Sequence, residues 1–567
     1  MVNYDVIFLG VKLMMDDGDS GSEYESDIHI SDSESEGDEE LDEGIPMNRG
    51  PLFPVLDPGT FSLPEPNFHE QTGPVNFLPN STILDYFMKF IDMPGRSVID
   101  LLVAETNRYA TQCIDEKSRP PRVVPEFARL KNWTPVTRQE ILAFVGLVLS
   151  MGVVKKPTYE SYWENNPRSW SMETPNFAQV MSRNRFQAIL QFLHCNNNET
   201  AVPHDQPGYD PLHTISPVID ILNQTFSENY RLNQDVCVDE RVVGFKGRHQ
   251  LKQYLSNKKA HKWGIKLWVL AESYTGYTHQ IKVYKGRRNE ARSENGQGYQ
   301  VVTELMTPHL NKDHHVTVDS FFTSPKLVHY LKDKGTFCTG TVIKTRRGMP
   351  KSYRIAKLQK GDMTVKYQGQ LMAVLWADRR LVTILTTTGS ASMINTTNSR
   401  GRDLAIPSAV KRYNFTMGGV DLGDQLLLQF EPNFKSVKMW RKLLFHQLVT
   451  AAVNAFICYK RTFVVETKLD HLKFQQQLCQ DLIGNHRDGS RNQQIRTVRL
   501  EHRQLGRITE RHFPERIPDG KRKKCVVCAG TDRFKKSRIQ WWCRICKVGL
   551  CVGRCFKRYH TRINFEE

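Results

Sequence analysis

The chain has 567 residues and a mass of 65.5 kDa, several times the usual domain size of roughly 100–200 residues, so two to four folded units are expected. Its 78 Lys and Arg residues outnumber its 61 Asp and Glu residues, which gives a formal charge of +17. No stretch approaches the ~20 apolar residues of a membrane span, and the first residues lack the basic start of a secretory signal. An intracellular protein without membrane association is therefore expected.

The charge is unevenly distributed along the chain. Residues 1–48 contain fifteen acids and one base, Lys12, which leaves 77 bases against 46 acids, or +31, in the rest. Residues 1–80 are predicted to be a disordered acidic region followed by a Pro-rich linker. Because clustered Lys and Arg release counterions from a phosphate backbone, the remaining polycation predicts a polyanionic partner. A merely solvated basic surface is the alternative.

The first ordered unit, residues 81–233, has the periodicity of amphipathic helices. Apolar residues recur at i, i+3, i+4 and i+7 in ILDYFMKFI, in SVIDLLVAETNRYATQCI and in RQEILAFVGLVLSMGVV. Thr137, three residues before Glu140, is a predicted helix N-cap. Further helices are predicted in FAQVMSRNRFQAILQFLHC and PVIDILNQTFSENYR, so this unit is expected to be all-α.

The pattern changes to short Val- and Ile-rich strands in residues 234–343. The predicted strands are VCVDERVVGF, GIKLWVLAES, THQIKVYKG, HHVTVDSFF and TFCTGTVI. A helix capped by Ser324 and ending at Gly335 separates the last two. This order predicts a mixed sheet with helices on its faces. Residues 344–398 add three strand patterns and are predicted to form a separate β-rich insertion.

Helical periodicity returns after the insertion. Residues 399–430 are predicted to complete the sheet unit through a helix in GGVDLGDQLLLQF. Residues 431–515 are predicted to complete the helical unit through the apolar run SVKMWRKLLFHQLVTAAVNAFICYK. The predicted fold is therefore a multidomain α/β protein in which the sheet domain interrupts one helical domain.

Half of the twelve cysteines lie in the last predicted unit, residues 521–562, with the spacing of metal ligands. The candidates there are Cys525, Cys528, Cys543, Cys546, Cys551, Cys555 and His560. The two thiolates of a CxxC turn reach one tetrahedral Zn²⁺ at about 2.3 Å each, and disulfides are a poor alternative in a reducing compartment. Seven ligands are one short of two closed Zn²⁺ sites, and His512 is a candidate eighth. The spacing leaves open how the ligands divide between the two ions.

Three acids lie where a mixed sheet would bring them together. Asp239 is predicted to end the first strand, Asp319 the fourth, and Asp421 to open the helix after the insertion. Asp424 shares a helical face with Asp421. Taken singly, each is more often a strand-end or N-cap residue. As a set, they could bind two Mg²⁺ ions about 3.5–4 Å apart, with Mn²⁺ as a substitute, for an in-line phosphoryl transfer.

Four blocks of sequence, in order, resemble the catalytic-core blocks of the piggyBac transposases. They are VDERVVGFKGR (238–248), NKKAHKWGIKLWVLAES (257–273), VDSFFTSPKL (318–327) and MGGVDLGDQL (417–426). ETNRYA at 105–110 and the Cys/His-rich end also resemble that family, so the resemblance runs from about Leu84 to His560.

The resemblance implies a retroviral-integrase-like (RNase H-like) core, with Asp239, Asp319 and Asp421 as the metal-binding triad and Asp424 as a supporting acid. It implies cut-and-paste transposition: nicking of the element's ends, attack of the freed 3′-OH to form a hairpin, hairpin opening, and joining to target DNA at TTAA. The implied partners are double-stranded DNA, including the terminal inverted repeats, and a second copy of the chain. The implied location is the nucleus, with Lys521–Lys524 as a plausible import signal.

The resemblance also implies DNA contacts for further residues in the matching segments. The alternative is that each of these side chains lies on a solvated face or, for the Trp, in a helix core. These residues are Lys246, Arg248, Lys258, Lys259, Lys262, Arg346, Arg347, Trp440 and Arg441. Two other functions remain alternatives. One is a domesticated DNA- or chromatin-binding protein without strand transfer, and the other is a zinc-knuckle ubiquitin ligase, whose last ligands are normally more widely spaced.

Overall fold

The computed structural model describes most of the chain beyond the acidic tail. The described residues are 53–54, 61–118, 133–164, 177–255, 262–286, 294–397, 401, 403–433, 436–462, 468–486, 511–529 and 538–562. They fall into two compact units, Met1–His486 and Arg487–Glu567. The predicted disordered tail, Lys258 and Lys259 lie outside the described residues.

The helices of the first unit occupy all the segments with predicted helical periodicity. Their bounds are α1 Ile83–Ile91, α2 Val98–Ser118, α3 Arg138–Val153, α4 Phe177–Val180, α5 Arg183–Phe192, α6 Ser216–Asn229, α7 Gln297–Met306, α8 Pro325–Asp333, α9 Lys351–Ile355, α10 Ser408–Thr416, α11 Gly419–Phe430, α12 Met439–Arg461 and α13 His471–Ile483. The sequence did not predict α7, α9, α10 or α13.

Local capping explains where several of these helices begin. The predicted N-cap of α3 is confirmed, because the Thr137 hydroxyl accepts a hydrogen bond from the Glu140 N–H at 3.3 Å. The Ser324 cap of α8 is also confirmed. The helical structure predicted in FAQVMSRNRFQAILQFLHC is present as two helices, α4 and α5. The chain restarts at Ser182, whose hydroxyl accepts from the Arg185 N–H at 3.2 Å and caps α5.

Helix α12 is the central helix of the core. By length and composition alone it could cross a membrane, but 89% of its most apolar 18-residue stretch is buried inside the structure. A core helix passes the same test, and nearly every side chain from Leu443 to Cys458 is buried. Its apolar character is therefore explained by packing.

The strands of the first unit are between two and ten residues long. Their bounds are β1 Phe53–Pro54, β2 Ser62–Leu63, β3 Gly73–Pro74, β4 Asp92–Met93, β5 Arg96–Ser97, β6 Tyr230–Arg231, β7 Asp235–Gly244, β8 Lys252–Tyr254, β9 Trp263–Glu272, β10 Thr278–Val283, β11 His315–Val318, β12 Phe337–Thr341, β13 Met363–Gln368, β14 Leu371–Ala377, β15 Leu381–Thr386, β16 Gly389–Ser390, β17 Met393–Thr397 and β18 Asp403–Pro407. All eight predicted strands are present.

Ten of these strands form one mixed sheet. Its order is β1-β13-β14-β15-β12-β11-β7-β9-β10, with β8 paired to β9. Strands β7, β11 and β12 run parallel to one another, and the other pairs are antiparallel. The predicted separate β-rich insertion is wrong in one respect. Its strands β13–β15 extend the main sheet, because β15 pairs with β12 at Thr386↔Thr339.

Helices cover both faces of the sheet. Because alternate residues of a strand point to opposite sides, each strand contributes side chains to two cores. Cys237 and Val269 face the helical side and belong to one large core with α1, α3, α11 and α12. Val238 and Trp268 face the other side and pack in a second core with α7 and α8. The mixed α/β fold with a large sheet is confirmed, and each face of the sheet shares a core with helices.

The described part of the predicted linker is attached to the folded body. Strand β2 pairs with β16, and β3 pairs with β6. Between them, Glu65 accepts hydrogen bonds from Arg412 at 2.5 Å and from the Thr388 hydroxyl at 3.0 Å. Leu63 is buried in a third core with α10. The expectation of a linker up to residue 80 is corrected for this segment, because it has its own strand pairs and ion pair.

Candidate active site and metal centres

Asp239 lies on β7, and Asp319 directly follows β11, the parallel strand next to it. The pairing of β7 with β11 places Val238 opposite Val318, and the two acids are the next residues of each strand. Neighbouring strands are about 4.8 Å apart, and residues in register point to the same face. The prediction that Asp239 ends its strand is wrong: β7 continues to Gly244 because β9 still pairs with it there. Asp319 directly follows β11, as predicted.

Asp421 reaches the same face from helix α11. It lies in the first turn of that helix, whose N-terminus packs directly on β7 and β9. A Cβ atom at Gly419 would lie 2.8 Å from Cys237 Sγ and 2.6 Å from the Glu272 carbonyl oxygen, so only glycine allows this approach. Burial, with the negative charges of Asp239 and Asp421, raises the pKa of the Cys237 thiol to about 12. Both acids are therefore close to Cys237.

Tyr413 of α10 lies within the field of all three acids, and neither periodicity nor spacing in the sequence marks it as a site residue. Burial raises the pKa of its phenol, and the charges of Asp319, Asp239 and Asp421 raise it further. Its oxygen accepts a hydrogen bond from the Thr341 hydroxyl at 3.4 Å. Thr341 continues the register Gly340↔Val318 beside Asp319. The buried phenol therefore stays neutral next to the acid cluster.

Helix α10 is fixed to the sheet by buried hydroxyl groups. The Thr416 and Thr317 hydroxyls lie 2.6 Å apart, and the Ser273 hydroxyl donates to the Thr416 carbonyl oxygen at 2.6 Å. Thr317 is two residues before Asp319 on β11, so it points to the same face as the acid. These contacts determine where Tyr413 lies.

The electrostatics of Asp319 are those of a carboxyl group in a desolvated site. Burial and the neighbouring charge of Glu240 raise its pKa to about 6, although the Phe321 N–H donates to it at 3.0 Å. Glu240 points to the other face, where it pairs with Lys266 at 2.6 Å. Oxygen ligands at such a site suit a hard cation, because a divalent ion would favour the ionised carboxylate.

Asp424 has a partner within the protein. It forms an ion pair with the guanidinium group of Arg241, which is almost fully buried and also donates to the Thr278 hydroxyl at 3.2 Å. Arg241 is on the same face of β7 as Asp239. The predicted supporting acid therefore connects α11 to the sheet next to the cluster.

The predicted DNA-contact residues lie in different surroundings. Lys246, Arg248, Lys262 and Arg347 are exposed. Arg346 is half-buried beside Asp319 and donates to the Ser320 carbonyl oxygen.

The Trp and Arg at the start of α12 are packed against the helical core. Trp440 is half-buried against His194, with ring centroids 5.5 Å apart. Arg441 donates to the Leu190 carbonyl oxygen at 2.6 Å, and burial lowers its pKa. These surroundings favour the packing alternative for Trp440 and Arg441.

In the second unit, the predicted metal ligands form two four-residue clusters. This unit has strands β19 Pro514–Arg516, β20 Lys523–Lys524, β21 Arg538–Ile539, β22 Trp541–Cys543 and β23 Val548–Gly549, with helices α14 Val526–Ala529 and α15 Arg554–Thr561. One cluster is Cys525, Cys528, Cys551 and Cys555, and the other is His512, Cys543, Cys546 and His560. All eight predicted ligands are used, and the pairing that the spacing left open is interleaved along the chain.

The distances in both clusters fit tetrahedral Zn²⁺. With Zn–S bonds of about 2.3 Å and Zn–N bonds of about 2.05 Å, a tetrahedron has S···S edges of about 3.8 Å and S···N edges of about 3.5 Å. The Sγ atom of Cys528 lies 3.8 Å from that of Cys551 and 3.5 Å from that of Cys555. Cys546 Sγ lies 3.5 Å from His512 Nδ1 and from His560 Nε2. The donor atoms are therefore already arranged for a metal.

Comparisons with known proteins agree with this geometry. The family model described as Transposase IS4 matches residues 83–456. PiggyBac transposable element-derived protein 3 of Homo sapiens is 25% identical over 448 residues, which cover 75% of this chain and 70% of the relative. PiggyBac transposable element-derived protein 2 of Homo sapiens is 25% identical over 484 residues, 82% of this chain and 74% of the relative.

A solved structure has the same fold. The cryo-EM structure of a piggyBac transposase synaptic complex with hairpin DNA matches with a TM-score of 0.64 and 22% identity, over 85% of this chain and 99% of that chain. Since the family model spans more than half of the sequence, the chain belongs to the Transposase IS4 family and is a piggyBac-like transposase.

Proposed function

We propose that this protein is a cut-and-paste DNA transposase that acts on the terminal inverted repeats of its element and on TTAA target DNA. The central strands β10-β9-β7-β11-β12 support an RNase H-like core, because three sequential antiparallel strands are followed by two parallel ones in this order. The acids lie on the first and fourth strands of this set and on the helix that follows the extended sheet.

The observation that carries the proposal is the register of Asp239 beside Asp319, with Asp421 delivered to the same face by α11. Two Mg²⁺ ions bound there would activate the attacking and leaving oxygens of an in-line displacement at phosphorus. The protein's part is to hold the three carboxylates in place. The register of the sheet positions Asp239 and Asp319, and the close approach of Gly419 to the sheet positions Asp421.

One site of this kind serves each step of the proposed reaction. Water nicks the 3′ end of the element, the freed 3′-OH attacks the opposite strand to form a hairpin, water opens the hairpin, and the 3′-OH joins to TTAA. Each step breaks one P–O bond and forms another by the same displacement, so no covalent intermediate with a protein side chain is required. The synaptic complex of the solved relative contains hairpin DNA, which supports this sequence of steps.

The second unit is proposed to bind two Zn²⁺ ions and to read the terminal repeats. Its ligand clusters support the metals, and the exposed Lys521–Lys524 segment supplies positive charge for phosphate contacts and for nuclear import. We propose a homodimer in the nucleus, since two ends of an element must be held in one complex.

The test is Mg²⁺-dependent cleavage of a labelled terminal repeat flanked by TTAA. The wild-type protein is expected to give a nicked product and then a hairpin. Asp319→Asn, which keeps the size of the side chain but not its charge, is expected to bind the DNA and give neither product. Asp205→Asn, at an exposed acid in the helical part, is the control and should cleave normally.

A DNA-binding function without strand transfer is the second candidate. It is favoured by the human relatives, which are described as element-derived proteins. Wild-type protein that binds the terminal repeat but forms no nick or hairpin with Mg²⁺ or Mn²⁺ would support this second candidate and would refute the proposed transposase activity.

A further inference from the structure

Two large aromatic rings lie together on the surface at one end of the main sheet. Tyr254 of β8 and Trp263 of β9 are cross-strand partners, and their side chains are 52% and 51% exposed. Their ring centroids are 4.8 Å apart, with the ring planes at 51°. Rings of this size normally bury most of their area, so a pair held half-exposed has a free face for a ligand.

The surroundings of the pair are positively charged. Residues 244–263 contain six Lys or Arg residues and no Asp or Glu. Lys252 is two residues before Tyr254 on β8, and its Nζ lies 4.8 Å from the centroid of the Trp263 ring. Lys246, Arg248 and Lys262 are exposed in the same segment. Aromatic rings among basic side chains are the combination that binds nucleic acid strands, through base stacking and phosphate contacts.

We infer that Tyr254 and Trp263 form a stacking surface for an unpaired DNA base, with Lys252 placed to contact the adjacent phosphate. This inference rests on the proposed function, because it takes DNA as the partner. An unpaired base is the ligand, because bases within an intact duplex are already stacked on one another. A second copy of this chain is disfavoured as the occupant, since a symmetric contact would bring two equally basic segments together.

The stacking surface is separate from the acid cluster. Asp239 pairs with Val269 on β9, and Trp263 is six residues before Val269. At about 3.4 Å per residue the surface is roughly 20 Å from Asp239 along the sheet, the length of about six base steps. The stacked base therefore belongs to single-stranded DNA that flanks the reacting phosphate. The proposed reaction produces such strands when it nicks and opens the element's ends.

The experiment compares two DNA probes in Mg²⁺-free buffer, using the full-length protein. One probe is a blunt duplex, and the other is the same duplex with a single-stranded extension that contains 2-aminopurine, whose fluorescence falls on stacking. Wild-type protein is expected to bind the extended probe more tightly and to quench the 2-aminopurine. Trp263→Ala should lose about 5- to 100-fold in affinity for the extended probe only, corresponding to about 1–3 kcal/mol per stacked base.

Four further variants separate stacking from charge and from a general loss of apolar surface. Trp263→Phe should retain quenching, and Trp263→Leu, which keeps apolar area without a π system, should lose it. Lys252→Ala should reduce the salt dependence of binding by about one phosphate contact, whereas Trp263→Ala should leave that slope unchanged. Ile355→Ala, at an exposed apolar residue on α9, is the control for loss of surface apolar area.

Equal affinity of wild type and Trp263→Ala for the extended probe, with no quenching by either, would overturn the stacking surface while leaving the proposed function in place. A changed dimer dissociation constant with unchanged DNA binding would assign the surface to a contact between copies. Wild-type protein that binds neither probe would overturn both the stacking surface and the DNA-processing function.

Discussion

The ion pair between Arg241 and Asp424 gives a quantitative prediction about how α11 is held on the sheet. The Arg241 side chain is 1% exposed and that of Asp424 is 24% exposed. Removing one partner of a buried pair costs about 3–5 kcal/mol, because the other charge is left without compensation. Since Asp424→Ala leaves the deeply buried guanidinium alone, we expect a loss of about 3 kcal/mol in the free energy of unfolding.

The reverse change should be milder. Arg241→Met removes the buried charge and leaves Asp424, which water can reach, so a loss of about 1 kcal/mol is expected. The double variant Arg241→Met/Asp424→Leu has no buried charge and should be more stable than Asp424→Ala. Urea unfolding followed by far-UV circular dichroism measures all three variants against the wild type.

The same variants separate a positioning role of Asp424 from direct catalysis. If Asp424 acts through Arg241 and α11, the double variant should recover part of the nicking rate along with its stability, because Asp421 returns to its place. If Asp424 contacts the reacting groups, the double variant stays inactive. Asp424→Ala with wild-type stability would refute the reasoning from the buried pair altogether.

Three other changes test separate parts of the structure. Tyr413→Phe removes the buried hydroxyl that accepts a hydrogen bond from Thr341 beside the acids, and it should slow nicking about 10- to 100-fold at unchanged DNA affinity. Tyr353→Phe, in the other core, should keep the wild-type rate. Burial lowers the pKa of His309 to about 3, so the unfolded chain takes up this proton below about pH 6.5 and the folded one does not. Acidification from about pH 7.5 to about pH 5 should therefore lower the free energy of unfolding of the wild type by about 2 kcal/mol more than that of His309→Gln. Urea unfolding at each pH measures this difference. Cys528→Ser and Cys546→Ser should each release one of two Zn²⁺ ions, counted with a colorimetric chelator, whereas loss of both ions from either variant would contradict two separate sites.

Local patterns in the sequence were sufficient to predict most helices and strands, but not which strands or ligands would pair. Alternating apolar residues placed the strands after residue 344 correctly, yet nothing in them specified that β15 would pair with β12. Helix α7 was missed because its apolar residues cover less than three turns after a loop. The spacing predicted seven ligands, with His512 as the candidate eighth, but an interleaved and a sequential pairing have the same spacing, and only the fold of the second unit distinguishes them.

The same limit applies to Tyr413. A single aromatic residue on a short helix has no pattern that separates a core side chain from a site residue. Its position depends on the hydroxyl contacts of Thr416 and on the register of Thr341, both of which require the folded sheet. The acids were found because charge in an apolar strand is unusual, whereas a buried Tyr is not.

The backbone supports the carboxylates of the acid cluster, and the acids next to it have ion-pair partners. Glu240 and Asp424, which flank the cluster, are neutralised by Lys266 and Arg241. Asp239 and Asp319 accept hydrogen bonds from the backbone N–H groups of Glu240, at 2.7 Å, and Phe321, at 3.0 Å. Asp421 lies in the first turn of α11, where the helix N-terminus favours negative charge. Backbone groups of the sheet and of α11 therefore hold the three acids in place, and a cation bound between them requires ligands that are oriented in this way.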